Sequence, residues 1–334
     1  MQALTITAYK QPLQQSEIPE PVVGPSDVLI DVQAAGLNQL DEGIRRGQFK
    51  QILPLRLPQA LGHDVAGTVI RVGAQVRAFK PGDEVYARPS DGRAGTFAER
   101  IAVAESDLAL KPASVDMIEA ASLPLVALTA WQALVERGQL RAGQKVLIHG
   151  GAGGVGTIAI QLAKHLGATI ATTVSAADVD FVRELGADVV IDYRTGDFEA
   201  ELFGYDLALD SLGGENLEKS LRILIPGGKA IGIAGPPDPA FARRIGLNPL
   251  LRVAVGRLSS KIRKQAKRLG VSYEFLFMHG DGQQLRQIAA LVDEQVIRPV
   301  VGRVVPFEGI PAELASLGHG VRGKAVATIT TATH

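Results

Sequence analysis

The chain has 334 residues, with 35 Lys and Arg balanced by 35 Asp and Glu, and no Cys. Zero net charge excludes a chain-wide electrostatic footprint for nucleic acid, and the lack of Cys excludes disulfides, thiolate nucleophiles and thiolate-held zinc or iron–sulfur centres. With 46% hydrophobic and 21% charged residues the chain can bury a full core, and its length suits two domains of roughly 100–200 residues.

The first residues alternate as a strand and lack the charged-then-apolar pattern of a secretory leader. No apolar run reaches the ~20 residues of a membrane span, so a cytoplasmic protein is expected. Short β-rich runs follow at 28–32, 66–72, 84–87 and 97–103. Turn signals such as Gly24-Pro25-Ser26-Asp27 and Lys80-Pro81-Gly82-Asp83 separate them. This texture predicts a mostly antiparallel, barrel-like β domain. From about residue 116 the pattern changes. A helical stretch at 118–134 is interrupted by Pro124, then come a strand at 146–149, a helix at 156–166 and a strand at 169–174. A helix at 177–185, strands at 189–191, 207–211 and 230–234, and a helix at 216–224 continue the alternation. A strand near 272–277 and a helix at 282–295 lead into β runs at 300–306 and 324–329, which share the texture of the first domain. The tail from Thr330 reads as a frayed end. Alternating βα units predict an α/β fold with a doubly wound parallel sheet over 123–278, flanked by a β domain made of 1–122 and 279–334.

Glycine is abundant, at 37 residues against a usual ~7% of a chain, and one cluster stands out. The apolar run Lys145-Val146-Leu147-Ile148-His149 leads into Gly150-Gly151-Ala152-Gly153-Gly154-Val155-Gly156, and an apolar-periodic helix follows. Gly151, Gly153 and Gly156 satisfy GxGxxG between a buried strand and a helix, the setting in which that pattern carries meaning. Missing Cβ atoms let the chain turn sharply, let a pyrophosphate approach backbone N–H groups and let helix pack on strand. The helix N-terminus adds partial positive charge. The stretch Gly151, Ala152, Gly153, Gly154, Val155 and Gly156 is therefore the expected cofactor loop; a tight turn without ligand is the plain alternative.

At the end of the next strand stands Ser175, where an acid would bind a ribose 2′-hydroxyl and favour NAD. Asp178 lies close enough to reverse that reading if it turns inward. Tyr193 and Arg194, after the following strand, offer a hydroxyl and a cation to a 2′-phosphate, so NADPH is the expected cofactor. A solvated loop charge is the other reading of Arg194.

With these residues in view the chain resembles the medium-chain dehydrogenase/reductase superfamily, in particular its zinc-free quinone oxidoreductase and 2-alkenal reductase branch. The resemblance rests on Ala35-Gly36-Leu37-Asn38, on the run Leu61-Gly62-His63-Asp64-Val65-Ala66-Gly67, on Pro81-Gly82-Asp83-Glu84-Val85 and on Gly95-Thr96-Phe97-Ala98-Glu99. Leu128-Thr129-Ala130, the glycine loop, Gly186-Ala187-Asp188, Asp210-Ser211-Leu212-Gly213-Gly214 and Gly227-Gly228 extend it over nearly the whole chain.

The resemblance implies a Rossmann cofactor domain and a GroES-like β-barrel catalytic domain, with the active-site cleft where they meet. It assigns Asn38 and Thr129 to the nicotinamide end, as catalytic and cofactor-binding residues. Ser175 and Tyr193 take the 2′-phosphate, Gly213 and Ala234 the nicotinamide ribose, and Lys324 a basic position near the cofactor. It also implies a homodimer.

His63 matches a zinc ligand of zinc-dependent relatives, but a zinc site needs about three protein ligands, usually with thiolate. The loop 88–94 is too short for a four-Cys lobe. A site from His63, Asp64 and Asp41 is chemically conceivable; the expectation is no metal, with His63 a hydrogen-bonded structural residue. The other histidines, at 149, 165, 279, 319 and 334, show no metal-like spacing. Two departures stand out. Ile44 and Phe49 occupy a stretch where relatives often carry tyrosines, and the basic residue that often follows the Ser175 position is missing.

The expected function is an NADPH-dependent oxidoreductase passing hydride to a quinone, enal or enone without zinc, with water, or Tyr86 if it faces the cleft, supplying the proton. The first reading of Tyr86 is a core strand residue. The alternative is an NADP-binding sensor or interaction protein with little turnover. The segment 243–268 holds nine basic residues and no acid, with Leu247, Leu250, Leu251, Val255, Leu258 and Ile262 at helical spacing. It reads as one amphipathic helix, either packed on its own domain or weakly touching an anionic membrane surface.

Overall fold

The computed structural model describes residues 1–51, 53–318 and 320–329. His319, His334 and the tail from Thr330 lie outside the described residues. The chain forms two compact units, Met1–Leu128 with His279–His334, and Thr129–Met278.

The first unit begins with β1 (Gln2–Ile6), β2 (Gln14–Glu17), β3 (Asp27–Gly36), helix α1 (Gln39–Arg45), β4 (Gln59–Ala60), β5 (Val65–Val72), β6 (Glu84–Ala87), β7 (Arg100–Ala104) and β8 (Leu108–Leu110). Helices α2 (Met117–Ala121) and α3 (Pro124–Trp131) follow. Asp116 and Glu119 close a capping box on α2. Pro124 separates the two helices: it starts α3, where its missing N–H leaves no helical hydrogen bond unmade. A π-helical turn, Gln132–Arg137, completes the helical stretch and belongs to the second unit.

The second unit runs β9 (Lys145–His149), α4 (Gly154–His165), β10 (Thr169–Val174), α5 (Val179–Glu184), β11 (Val189–Asp192), α6 (Phe198–Glu201), β12 (Tyr205–Asp210), α7 (Gly214–Arg222) and β13 (Leu224–Gly232). Helices α8 (Pro239–Arg244), α9 (Pro249–Leu258) and α10 (Ser260–Leu269) precede β14 (Ser272–Phe275). The six strands pair in parallel in the order β11-β10-β9-β12-β13-β14. Val146, Leu147 and Ile148 are fully buried on both faces of β9, as a central parallel strand requires. The winding reverses between β9 and β12, so their carboxyl ends form the switch point where such sheets hold ligands. The basic segment 243–268 is not one helix: Asn248 caps α9 and Pro249 opens it, while Ser259 ends α9 and begins α10.

The chain then returns to the first unit with α11 (Gly282–Asp293), β15 (Val301–Pro306), α12 (Ile310–Ser316) and β16 (Lys324–Thr328). Its main sheet runs β15-β16-β3-β5-β6-β8, with β7 also on β3, and a small sheet runs β2-β1-β4. Pairing is antiparallel except between β15 and β16. Alternate residues of β3, Val28, Ile30 and Val32, pack with Val65, Val69, Val85 and Val103 in the core. Tyr86 belongs to this interior: it is fully buried and its hydroxyl donates to the Leu285 carbonyl at 2.6 Å. Of its two readings the core residue is the one observed, and burial raises its phenol far above the ordinary range.

Candidate active site

In the second unit the glycine loop joins β9 to α4. A Cβ at Gly151 would lie 2.2 Å from the Thr172 hydroxyl, and one at Gly156 would lie 2.2 Å from the Gly150 carbonyl oxygen. Both positions therefore demand glycine, for close packing of helix on strand. Gly153, the N-cap of α4, is different: a Cβ there meets only the Gly150 oxygen, at 3.3 Å. Its outer side is open. The loop thus combines two steric glycines with one that leaves the helix N-terminus accessible, and α4 has no acid in its first turn to compete with an anion. This is the cradle a pyrophosphate fits.

Ser175 follows β10, and Tyr193 and Arg194 follow β11. The backbone N–H of Tyr193 donates to Val174 at 3.0 Å, which places Tyr193 beside Ser175 at the sheet's carboxyl edge. The Arg194 guanidinium stacks 5.6 Å from the Tyr193 ring, and Tyr193 is 58% exposed. Asp178 does turn toward this edge, because Ser175 Oγ donates to its carboxylate at 2.7 Å. One acid therefore stands at this edge and takes the Ser175 hydroxyl. Gly213 has φ 69°, and a Cβ there would lie 2.9 Å from the Ala234 carbonyl, so these two residues meet at the ends of β12 and β13. Thr129 is buried in α3.

Beneath the loop lies a buried relay that the sequence did not signal as such. The Gly150 N–H donates to Thr173 Oγ1, which lies 2.9 Å from His149 Nδ1, and His149 Nε2 lies 2.9 Å from Ser220 Oγ. Ser220 Oγ donates to the Asn216 carbonyl, so it accepts from Nε2–H and Nδ1 accepts from Thr173. Burial holds His149 neutral, with its pKa lowered to about 4. Asp210 Oδ1 accepts from the Gly213 and Leu212 N–H groups, whereas its buried Oδ2 has no hydrogen-bond partner among the described residues and lies 4.0 Å from His149. Burial raises Asp210 to about 6 against those two hydrogen bonds. The signal available was the Asp itself, at the end of an apolar strand and before Gly213-Gly214.

These shifts act on stability with opposite signs. Asp210 is raised above its unfolded value of 3.8, so the fold loses stability as pH rises from about 4 to 6 and stays penalised above. His149 is lowered below 6.5, so the fold loses stability as pH falls from about 6.5 to 4. Asp210→Asn removes only the first effect. It is expected to stabilise the protein by about 1–3 kcal/mol at pH 8 and by roughly half as much at pH 5. Denaturant melts at the two pH values check this, and a gain as large at pH 5 would exclude Asp210 as the source.

The first unit holds its own polar cluster. Asn38 caps α1 and its N–H donates to Asp41 Oδ2 at 3.0 Å. Asp41 Oδ1 lies 2.6 Å from His63 Nδ1, so the two buried side chains share a hydrogen bond. Asp64 Oδ1 accepts from the Leu125 N–H at the start of α3, at 2.7 Å. Asp64 Oδ2 takes the Asn38 amide and the Lys324 ammonium, each at 2.9 Å. Lys324 also donates to the Asn38 carboxamide oxygen. All five side chains are buried. Asn38 and Lys324, assigned separately from sequence, are thus direct partners, and Asp64, considered only as a metal ligand, is what joins them. Two of the three Lys324 donors are used within the cluster, and the third has no partner among the described residues. Every carboxylate oxygen of Asp41 and Asp64 is engaged. Among the described residues no group of three or more His, Cys, Asp or Glu could hold a metal ion.

Residues 24–113 match the alcohol dehydrogenase GroES-like domain family, and residues 185–326 match the zinc-binding dehydrogenase family. The mitochondrial NAD(P)H oxidoreductase RTN4IP1 of Danio rerio is 37% identical over 327 residues, spanning 91% of this chain and 84% of that protein. The chain belongs to the medium-chain dehydrogenase/reductase superfamily, in its quinone and alkenal reductase branch. It is an oxidoreductase of that superfamily, with a Rossmann sheet and a GroES-like domain. A second member, the chloroplastic NADPH-dependent alkenal/one oxidoreductase of Arabidopsis thaliana, is 42% identical over 233 residues, 67% of this chain and 59% of that protein. The quinone oxidoreductase from Coxiella burnetii superposes with a TM-score of 0.85 at 29% identity, covering 99% of each chain. The Danio and Arabidopsis relatives are named as organellar proteins, which lends the cytoplasmic expectation no support. Among the described residues no helix is long and apolar enough to cross a membrane.

Proposed function

We propose that this superfamily member carries hydride from NADPH to a quinone or an α,β-unsaturated carbonyl, without zinc. The observation that carries the reading is the pair of arrangements above: a glycine loop with an open Gly153 on the sheet's switch point, and a buried Asn38–Asp64–Lys324 cluster with donor capacity left over. NADPH, when bound, supplies the hydride. The loop and the α4 N-terminus hold its pyrophosphate, Tyr193 and Arg194 its 2′-phosphate, with Ser175 beside them giving its hydroxyl to Asp178, and Gly213 and Ala234 leave room for the nicotinamide ribose. Asn38, Thr129 and Lys324 orient the nicotinamide end. Orientation alone supplies much of the catalysis when reacting carbons are held ~3–3.5 Å apart. With Tyr86 engaged in the core, water supplies the proton that follows.

Zinc independence is supported by the engaged oxygens of Asp41 and Asp64 and by the absence of Cys. An enal, enone or quinone is electron-poor already and does not need a Lewis acid to accept hydride. The names of the Arabidopsis and Coxiella relatives agree with this acceptor class. The proposed homodimer rests on β14, a sheet-edge strand with β13 as its one strand neighbour among the described residues.

Steady-state NADPH oxidation with matched enals, quinones and saturated aldehydes tests the reading, and NADH in place of NADPH forms its second arm. Two charge-assisted bonds to the 2′-phosphate, at ~1.5–3 kcal/mol each and opposed by Asp178, lead us to expect about a tenfold preference for NADPH in kcat/KM. Equal rates with both cofactors would remove Tyr193 and Arg194 from the phosphate site.

A further inference from the structure

The helix α9 is built the wrong way round for a globular surface. None of its residues is buried. Leu250, Ala254 and Leu258, four residues apart, form one stripe, and Leu250 is 84% and Leu258 66% exposed. Val253, at 56%, and Leu251, at 39%, widen this ridge, and the exposed Arg257 stands on the same face. The opposite side, with Arg252, Val255 and Gly256, is the half-buried one. The neighbouring α10 has ordinary polarity: Ile262 and Ala266 face inward, and five basic residues point outward. Its surface has a shallow depression lined by Ser260, Lys261, Lys264, Gln265 and Arg268, donors with no acid on the helix itself. Glu218 pairs with Lys261, while Lys264 and Arg268 are exposed.

We propose that α9 and α10 dock on an anionic lipid bilayer, the ridge of α9 entering the headgroup boundary and α10 holding lipid phosphates. An exposed apolar ridge beside a cationic one is the composition of an interfacial membrane element. Each base near an anionic surface contributes ~1 kcal/mol, a factor of about five in partitioning. The inference goes beyond the proposed reaction and stands whether or not the acceptor is a quinone.

Flotation of the full chain with phosphatidylcholine vesicles, and with vesicles containing about one third phosphatidylglycerol, tests it. Partitioning is expected to be at least about tenfold stronger on the anionic vesicles and to fall sharply as salt shortens the Debye length. Leu250→Ser/Leu258→Ser should reduce it about tenfold or more, and Lys264→Gln/Lys267→Gln/Arg268→Gln should do so independently. Both variants alter exposed residues, and unchanged melting and NADPH oxidation would confirm that they are folded. Equal partitioning on the two vesicle types, or insensitivity to both variants, would overturn the proposal. So would conversion of a wild-type dimer to a monomer by Leu250→Ser/Leu258→Ser, since the ridge would then be covered by a second copy of the chain.

Discussion

Gly153→Ala is expected to weaken NADPH binding about thirtyfold, equivalent to ~2 kcal/mol, while leaving thermal stability close to wild type. The separation of the two effects follows from the loop's geometry. Gly153 has φ −80° and ψ 173°, which alanine adopts without strain, and its Cβ meets one atom at 3.3 Å. A methyl group there stands on the open side of the loop, where a pyrophosphate must come against backbone N–H groups. Gly156→Ala is the contrasting case. Its Cβ would lie 2.2 Å from the Gly150 carbonyl and 2.7 Å from the Gly151 Cα, both backbone atoms. The helix must move off the strand, so stability and cofactor binding fall together. Calorimetric titration and melting of both variants decide the matter. Wild-type affinity in a folded Gly153→Ala would reduce the loop to a turn with no ligand.

Lys324→Met is expected to destabilise the first unit by about 3–5 kcal/mol, because it leaves the Asp64 carboxylate buried without its cation. Asp64 is fully buried, and of its remaining donors one is the Asn38 amide and the other the Leu125 N–H. The Lys324→Met/Asp64→Asn double variant should recover most of that loss, since the neutral carboxamide keeps an oxygen for the Leu125 N–H and no charge is left unpaired. Activity is expected not to recover with stability. The ammonium's third donor is gone in both variants, so kcat/KM stays at least about tenfold low even in the stable double variant. Urea melts alongside kinetics read both quantities. A Lys324→Met protein as stable as wild type would mean that the cluster is solvated in solution, contrary to its burial.

The glycine loop was legible because its causes are local. Gly151, Gly153 and Gly156 lie within one turn of chain, and the strand before them and the helix after them show their periodicity directly. The polar cluster was not legible as a unit. Asn38 and Lys324 are 286 positions apart, and neither spacing nor composition shows that a β strand from one end of the chain pairs with one from the other. The resemblance supplied both residues singly, without the Asp64 that joins them. The relay through His149 and Ser220 was hidden for the same reason: it links a strand end to a helix through side chains 71 positions apart. Other misses had a readable cause. Asn248 before Pro249 is a helix start, a cap followed by a residue preset for the first turn, and it divides the basic segment that periodicity alone had joined. The strand expected at 230–234 in fact begins at Leu224 and runs through Gly227-Gly228, a pair that reads as a turn when the neighbouring strands are unknown.

The most direct test of the proposed reaction is the kcat/KM of chelator-dialysed enzyme with NADPH and two acceptors of equal length, a 2-alkenal and the corresponding saturated aldehyde. The alkenal is expected to turn over at least about a hundredfold faster, a barrier difference of ~2.7 kcal/mol, and added zinc to change neither rate. A saturated aldehyde reduced as fast as the alkenal, or activity that appears only when zinc is restored, would contradict the proposed reaction.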